Sequence, residues 1–158
     1  LVALPSYRWT HAVVVPRGHA LAQQAQRGES LSLEALARHP IITYEPGYTG
    51  RTHIDEAFAR RGLPWNLVLS AMDADVIKTY VELGMGVGIV ASIAFDAERD
   101  RTLRALDARH LFEVNLTRLA IRRGTWLRGY AYAFIESFAP TLTREVVKCA
   151  LAGEAIDD

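Results

Sequence analysis

Residues 47–52, Gly-Tyr-Thr-Gly-Arg-Thr, put two glycines, two threonine hydroxyls and one guanidinium into six consecutive positions. That combination suits the holding of a small anion or a carboxylate-bearing metabolite. Glycine lets a ligand approach the backbone, a hydroxyl donates a hydrogen bond, and a helix beginning here would add its unpaired N–H groups at the positive end of its dipole. Arg51 either supplies charge or simply faces solvent from a first helical turn. The competing reading is plain structure: Pro46-Gly47 makes a turn, and Thr49 or Thr52 caps the helix. The residues alone leave both readings open.

Chemistry of other kinds is poorly represented. There is no HExxH, Walker A, G-x-S-x-G or CxxC motif. The glycines of GMGVGIVA enter an apolar run instead of leaving one for a helix, which is the wrong context for a dinucleotide fingerprint. The five histidines are scattered over different elements, and His19 and His39 sit where helix ends are expected. Asp73 and Asp75 are explained by capping and the helix dipole without an acid–base pair. Nothing here implies an enzyme, a metal or a cofactor.

The elements that must carry the loop can be traced from periodicity. Residues 12–15 (AVVV) form a strand closed by Pro16 and Gly18. A short helix follows, with Ser32 as N-cap, Glu34 in its first turn and Pro40 as its stop. Ile41 and Ile42 then form the strand that delivers the loop. The helix over 52–61 gathers Ile54, Ala57 and Phe58 on one side and ends at Gly62. Residues 66–71 give a strand. The next helix starts at Asp73, with Val76, Ile77, Tyr80, Val81 and Gly84 as its buried face. Strands follow over GMGVGIVAS, near 103–107 and over 116–122. Two C-terminal helices, WLRGYAYAFIESF and LTREVVKCALA, are separated by Pro140. Strands alternating with helices imply parallel βαβ units, an α/β sheet covered on both faces and a ligand at the strands' carboxyl ends.

At 158 residues, half of them apolar, the chain suits one domain or two small lobes. The 18 basic and 18 acidic residues cancel, which argues against nucleic acid as the direct partner of this stretch. A single cysteine, Cys149, makes neither an internal disulfide nor a Cys-rich zinc site. No apolar run of about 18 residues marks a membrane span. No signal-peptide pattern is present either, so a cytoplasmic protein without membrane contact is expected. A start at LVALPSYRW, without Met, reads as a piece of something longer. The apolar ends, including the aromatic WLRGYAYAFIESF, suggest partners outside the chain.

Three stretches, ITYEPGYTGRTHIDEAF, SAMDADVIKTYVELGMGVGIVAS and AIRRGTWLRGYAYAFIESFAPTLTREVV, resemble the effector-binding region of LysR-type transcriptional regulators. More narrowly, they resemble the CysB/Cbl branch, which controls sulfur assimilation. LVALPSYRW and HAVVVPRGHALA fit as well, so the resemblance spans nearly the whole chain. It implies an α/β fold with two lobes like those of periplasmic binding proteins, joined by crossover strands, with the effector in the cleft. On that plan residues 1–11 are a crossover from lobe I, 12–115 form lobe II, and 116–158 return as a strand and C-terminal helices of lobe I. The ligand-binding residues would be Gly47, Tyr48, Thr49, Gly50 and Arg51, with Thr49 matching the family's sulfate-contacting threonine. Tyr48 stands where relatives often have Phe, and Met72 where they often have Thr, so the preferred effector can differ. The implied effectors are sulfate, thiosulfate or metabolites like O- or N-acetylserine. Promoter DNA would be bound by a helix-turn-helix outside this chain, in a homo-oligomer, a tetramer for the full protein. A periplasmic-type solute receptor of similar fold is the alternative.

Overall fold

The β-branched run at Val13-Val14-Val15 sets the centre of the main sheet, because successive side chains of a strand point to opposite faces. Val13 and Val15 enter one apolar core and Val14 the other, all fully buried. The computed structural model describes residues 1–48 and 50–153. These form two compact units: Trp9–Asn115, and Leu1–Arg8 together with the chain from Leu116 onward.

The Trp9–Asn115 unit contains strands β2 (His11–Pro16), β3 (Pro40–Tyr44), β4 (Asn66–Ala71), β5 (Val87–Ala91) and β6 (Leu103–Asp107) in the order β4-β3-β5-β2-β6. Helices α1 (Ala20–Gln26), α2 (Leu33–Ala37) and α3 (Arg51–Arg60) pack on one face, through Leu21, Leu36, Ile54 and Phe58. Helix α4 (Ala74–Glu82) covers the other through Ile77 and Val81. The local signals behave as expected. Ser32 Oγ accepts the Ala35 N–H at 3.1 Å, Glu34 lies in the first turn of α2, and α3 runs out at Gly62 with φ +59°.

Two expectations need correction. The sheet is not wholly parallel: β3 runs parallel to β4 and β5, but β2 runs antiparallel to both β5 and β6. Strands reached through crossover helices come back in the same direction. β2 has no such helix before it; only Thr10 separates it from β1, and periodicity carries no information about direction. The buried face of α4 is also rotated from the apolar expectation. Ile77, Lys78 and Val81 are buried, whereas Val76 is 42% exposed and Gly84 lies at the surface. A lysine takes the inner position because Asp100 meets its charge there, with Nζ 3.0 Å from each carboxylate oxygen.

In the other unit, β1 (Val2–Trp9) pairs with β7 (Asn115–Ile121), and α5 (Gly129–Phe138) and α6 (Arg144–Ala152) pack by Tyr132, Ile135 and Val147 around Leu4 and Ile121. Thr143 caps α6, and the Cys149 thiol is exposed on that helix. Tyr130 and Phe134, one turn apart on α5, remain 73% and 67% exposed. Among the described residues, no helix is long and apolar enough to cross a membrane.

Candidate functional site

Strand β3 carries the loop on a rigid base. The Thr43 hydroxyl donates to the Ile89 carbonyl at 2.8 Å, and the Tyr44 phenol oxygen accepts the Ala91 N–H at 3.0 Å. Burial holds the Tyr44 phenol above its ordinary pKa, so it stays neutral. Beyond Tyr44 the chain turns at once. Tyr48 N–H donates to the Glu45 carbonyl at 3.1 Å around Pro46 and Gly47, and Gly47 has φ +88°. Proline second and a positive-φ glycine third is the residue pattern of a type II turn. The turn half of the structural reading therefore holds.

The cap half fails for Thr52, which lies inside the helix and is exposed. The N-cap of α3 is Gly50, left-handed at φ +72°, with no side-chain cap among the described residues. Thr49 lies outside the described residues. Gly50 is required for a further reason. A Cβ there would meet Asn115 Oδ1 at 2.6 Å and His11 Nε2 at 2.8 Å, and left-handed φ already disfavours other residues. His11 is itself wedged edge-on between Trp9 and Phe112, with ring centroids 5.3 and 5.2 Å away.

The four described loop residues are thus divided by role. Gly47 and Tyr48 are at the surface, Gly50 is half-buried, and Arg51 is 7% exposed. The Arg51 guanidinium is turned inward. It donates to the Tyr44 carbonyl at 2.6 Å and to Asp55 at 2.8 Å, and it lies over the Trp65 ring at 5.3 Å. Its charge is met by Asp55, so the arginine fastens the first turn of α3 to the end of β3. The i,i+4 spacing of Arg51 and Asp55 was a legible signal for this. Nothing local marks His11 or Asn115, which approach from distant positions in the chain.

Of the five histidines, two pairs come together. His19 and His39 meet edge-on with ring centroids 4.8 Å apart, and His19 caps α1 by accepting the Leu21 N–H at 3.2 Å. His53 and His110 line one cavity, described below. Asp73 accepts N–H bonds from Asp75 and Val76, as its capping role requires. Among the described residues, no group of three or more His, Cys, Asp or Glu side chains forms a metal site.

Comparison with known proteins bears on the family and the fold. The family described as the LysR substrate binding domain matches residues 1–143. The chain is 52% identical over 156 residues to the HTH-type transcriptional regulator SsuR of Burkholderia cenocepacia, covering 99% of this chain and 49% of that protein. It is 51% identical over 155 residues to CysB of the same organism, covering 98% and 48%. It therefore spans about half the length of these curated relatives. The crystal structure of the cofactor-binding domain of the Cbl transcriptional regulator superposes with a TM-score of 0.83 at 44% identity, covering 94% of this chain and 64% of that one. The effector-binding domain of QuiR in complex with shikimate shares the fold at 18% identity, with a TM-score of 0.70.

Proposed function

The chain belongs to the LysR substrate-binding-domain family, and from that premise we propose that it senses a small anionic metabolite at the β3–α3 loop of a CysB-like regulator. The regulator would control sulfur assimilation or cysteine biosynthesis in the bacterial cytoplasm. The observation that carries the reading is the α3 N-terminus. Gly50 holds it open in the left-handed conformation with no side-chain cap among the described residues, beside the exposed Gly47 and Tyr48. The relatives are transcriptional regulators, which supports a sensor over an enzyme or a periplasmic solute receptor.

Gly47, Tyr48, Thr49 and Gly50 form the contacting surface, with Arg51 positioning it from within. Sulfate, thiosulfate and acetylserine-type metabolites are the candidate ligands. Residues 12–115 act as lobe II, and residues 1–11 and 116–158 contribute to lobe I. Promoter DNA is bound by a helix-turn-helix elsewhere in the full protein, working as a homo-oligomer. The ligand changes DNA binding only through different affinity for two arrangements of that oligomer.

The test is calorimetric titration of the intact protein with sulfate, thiosulfate and O-acetylserine, in the native form and as Thr49→Ala. Losing one hydrogen bond to a charged ligand costs about 1.5–3 kcal/mol, or about tenfold to a hundredfold in affinity. A loss of that size for one ligand supports the site. Equal affinity of the variant for every ligand that binds rejects it.

A further inference from the structure

A cavity of about 310 Å³ lies along α3, its wall beginning at His53, two residues after Arg51. That is the lower end of the range for small-molecule sites, about 300–1,000 Å³. Its α3 wall is His53, Ala57, Arg60 and Arg61, spaced i, i+4, i+7 and i+8 so that one helix face looks into it. Leu33 and Phe112 add apolar surface, and Glu113 completes the rim. None of these residues belongs to the proposed effector loop.

Charges of both signs meet at this rim in a form that is easily opened. Arg60 pairs with Glu113 at 2.7 Å and with Glu56 at 3.1 Å, and Arg61 pairs with Glu34 at 3.2 Å. The Arg60 hydrogen bond draws the Glu113 carboxyl below its ordinary pKa, with a smaller contribution from His53, so Glu113 is ionised at neutral pH. The Arg60 and Glu113 side chains are 60% and 54% exposed, so solvent screens the pair and it adds little to stability. A ligand that supplies one charge to each partner can replace the pair without leaving either unpaired. A plain anion has to displace Glu113 from Arg60 and strand the carboxylate. In the same wall, Nδ1 of His53 is buried with no hydrogen-bond partner, a polar atom left unsatisfied by the protein itself.

The geometry points to a second ligand site in this cavity, selective for a small zwitterionic amino acid with an apolar side chain. The carboxylate would sit on Arg60 and Arg61, the ammonium on Glu113, and the side chain against Leu33, Ala57 and Phe112. Because the site shares α3 with the loop, its occupancy would bear on the same helix.

Calorimetric titration of the intact protein with L-leucine tests this, with isocaproate (no ammonium) and isoamylamine (no carboxylate) as paired probes. The expected result is saturable binding of L-leucine that weakens about tenfold or more in Glu113→Gln and in Arg61→Gln, with both single-charge probes weaker than L-leucine by a similar factor. Both variants change exposed residues, so folding is preserved. Thr49→Ala should leave L-leucine binding unchanged, which separates this site from the loop. No saturable binding at millimolar L-leucine overturns the proposal. Equal binding of all three probes, or full affinity in Glu113→Gln, overturns it as well.

Discussion

The two joints at which a strand hands over to a helix, β3 to α3 and β4 to α4, solve one problem in opposite ways. Both helices start with N–H groups that need partners, and both are anchored by a buried cation. At the second joint, Asp73 takes two of those N–H groups and Lys78 is held by Asp100 and by the Ala94 carbonyl at 2.9 Å. At the first, Arg51 is held by Asp55 and the Tyr44 carbonyl, but the N-cap is a left-handed glycine with no acceptor of its own. Among the described residues the anchor is kept at both joints, and a side-chain cap is present only at the second.

Breaking the anchors should give the largest effects, and the second joint should suffer more. Burial works against the charge on Lys78, but the hydrogen bonds it donates to Asp75 and Asp100 outweigh it and hold its pKa above the ordinary lysine value. Lys78→Met leaves Asp100 buried and unpaired, and chemical denaturation of the intact protein should show a loss of about 3–5 kcal/mol. Gly50→Ala strikes the first joint through backbone and packing together. With φ +72° and His11 and Asn115 in the way, a loss of about 2–4 kcal/mol is expected from the same measurement.

The residues at the two helix starts separate the joints more finely. Asp73→Ala should cost about 1 kcal/mol, while Thr52→Ala, at the start of α3, should change stability by less than about 0.5 kcal/mol. Equal losses at the two positions would remove the asymmetry on which the comparison rests.

The smallest effect is expected at an exposed ion pair far from either anchor. Arg109, through its side chain and its backbone N–H, lowers the Asp107 carboxyl to about 2 from its ordinary 3.8. A depressed carboxyl stabilises the fold fully above the unfolded value and loses that contribution as pH falls through the folded one. The contribution should therefore be present above about pH 4 and fade towards pH 2. Carboxyl NMR titration should place Asp107 near its ordinary value in Arg109→Ala, with little change in stability at neutral pH because both side chains are exposed.

Much of this was legible in the chain. Ser32, Asp73 and Thr143 announce helix starts because a cap is a local device, readable within four residues. The apolar periods of α3 and of Val13–Val15 placed the cores for the same reason. What escaped is non-local. The reversed β2 depends on how the chain enters the sheet, and the inward Lys78 depends on an acid 22 positions away. Gly50 was legible as a flexible point but not as a contact, since His11 and Asn115 approach it from 39 and 65 residues off. Arg51 lay between the two cases: Asp55 is local, but Trp65 and the Tyr44 carbonyl are found only after folding.

The meeting of His11 and Asn115 at Gly50 has a consequence for how this protein can be rebuilt. The chain enters the Trp9–Asn115 unit beside His11 and leaves it at Asn115, so side chains from entrance and exit meet at one glycine. A segment with adjoining ends is topologically a cassette. It can be lifted out, closed with a short linker, or set into a surface loop of an unrelated host without stretching either chain.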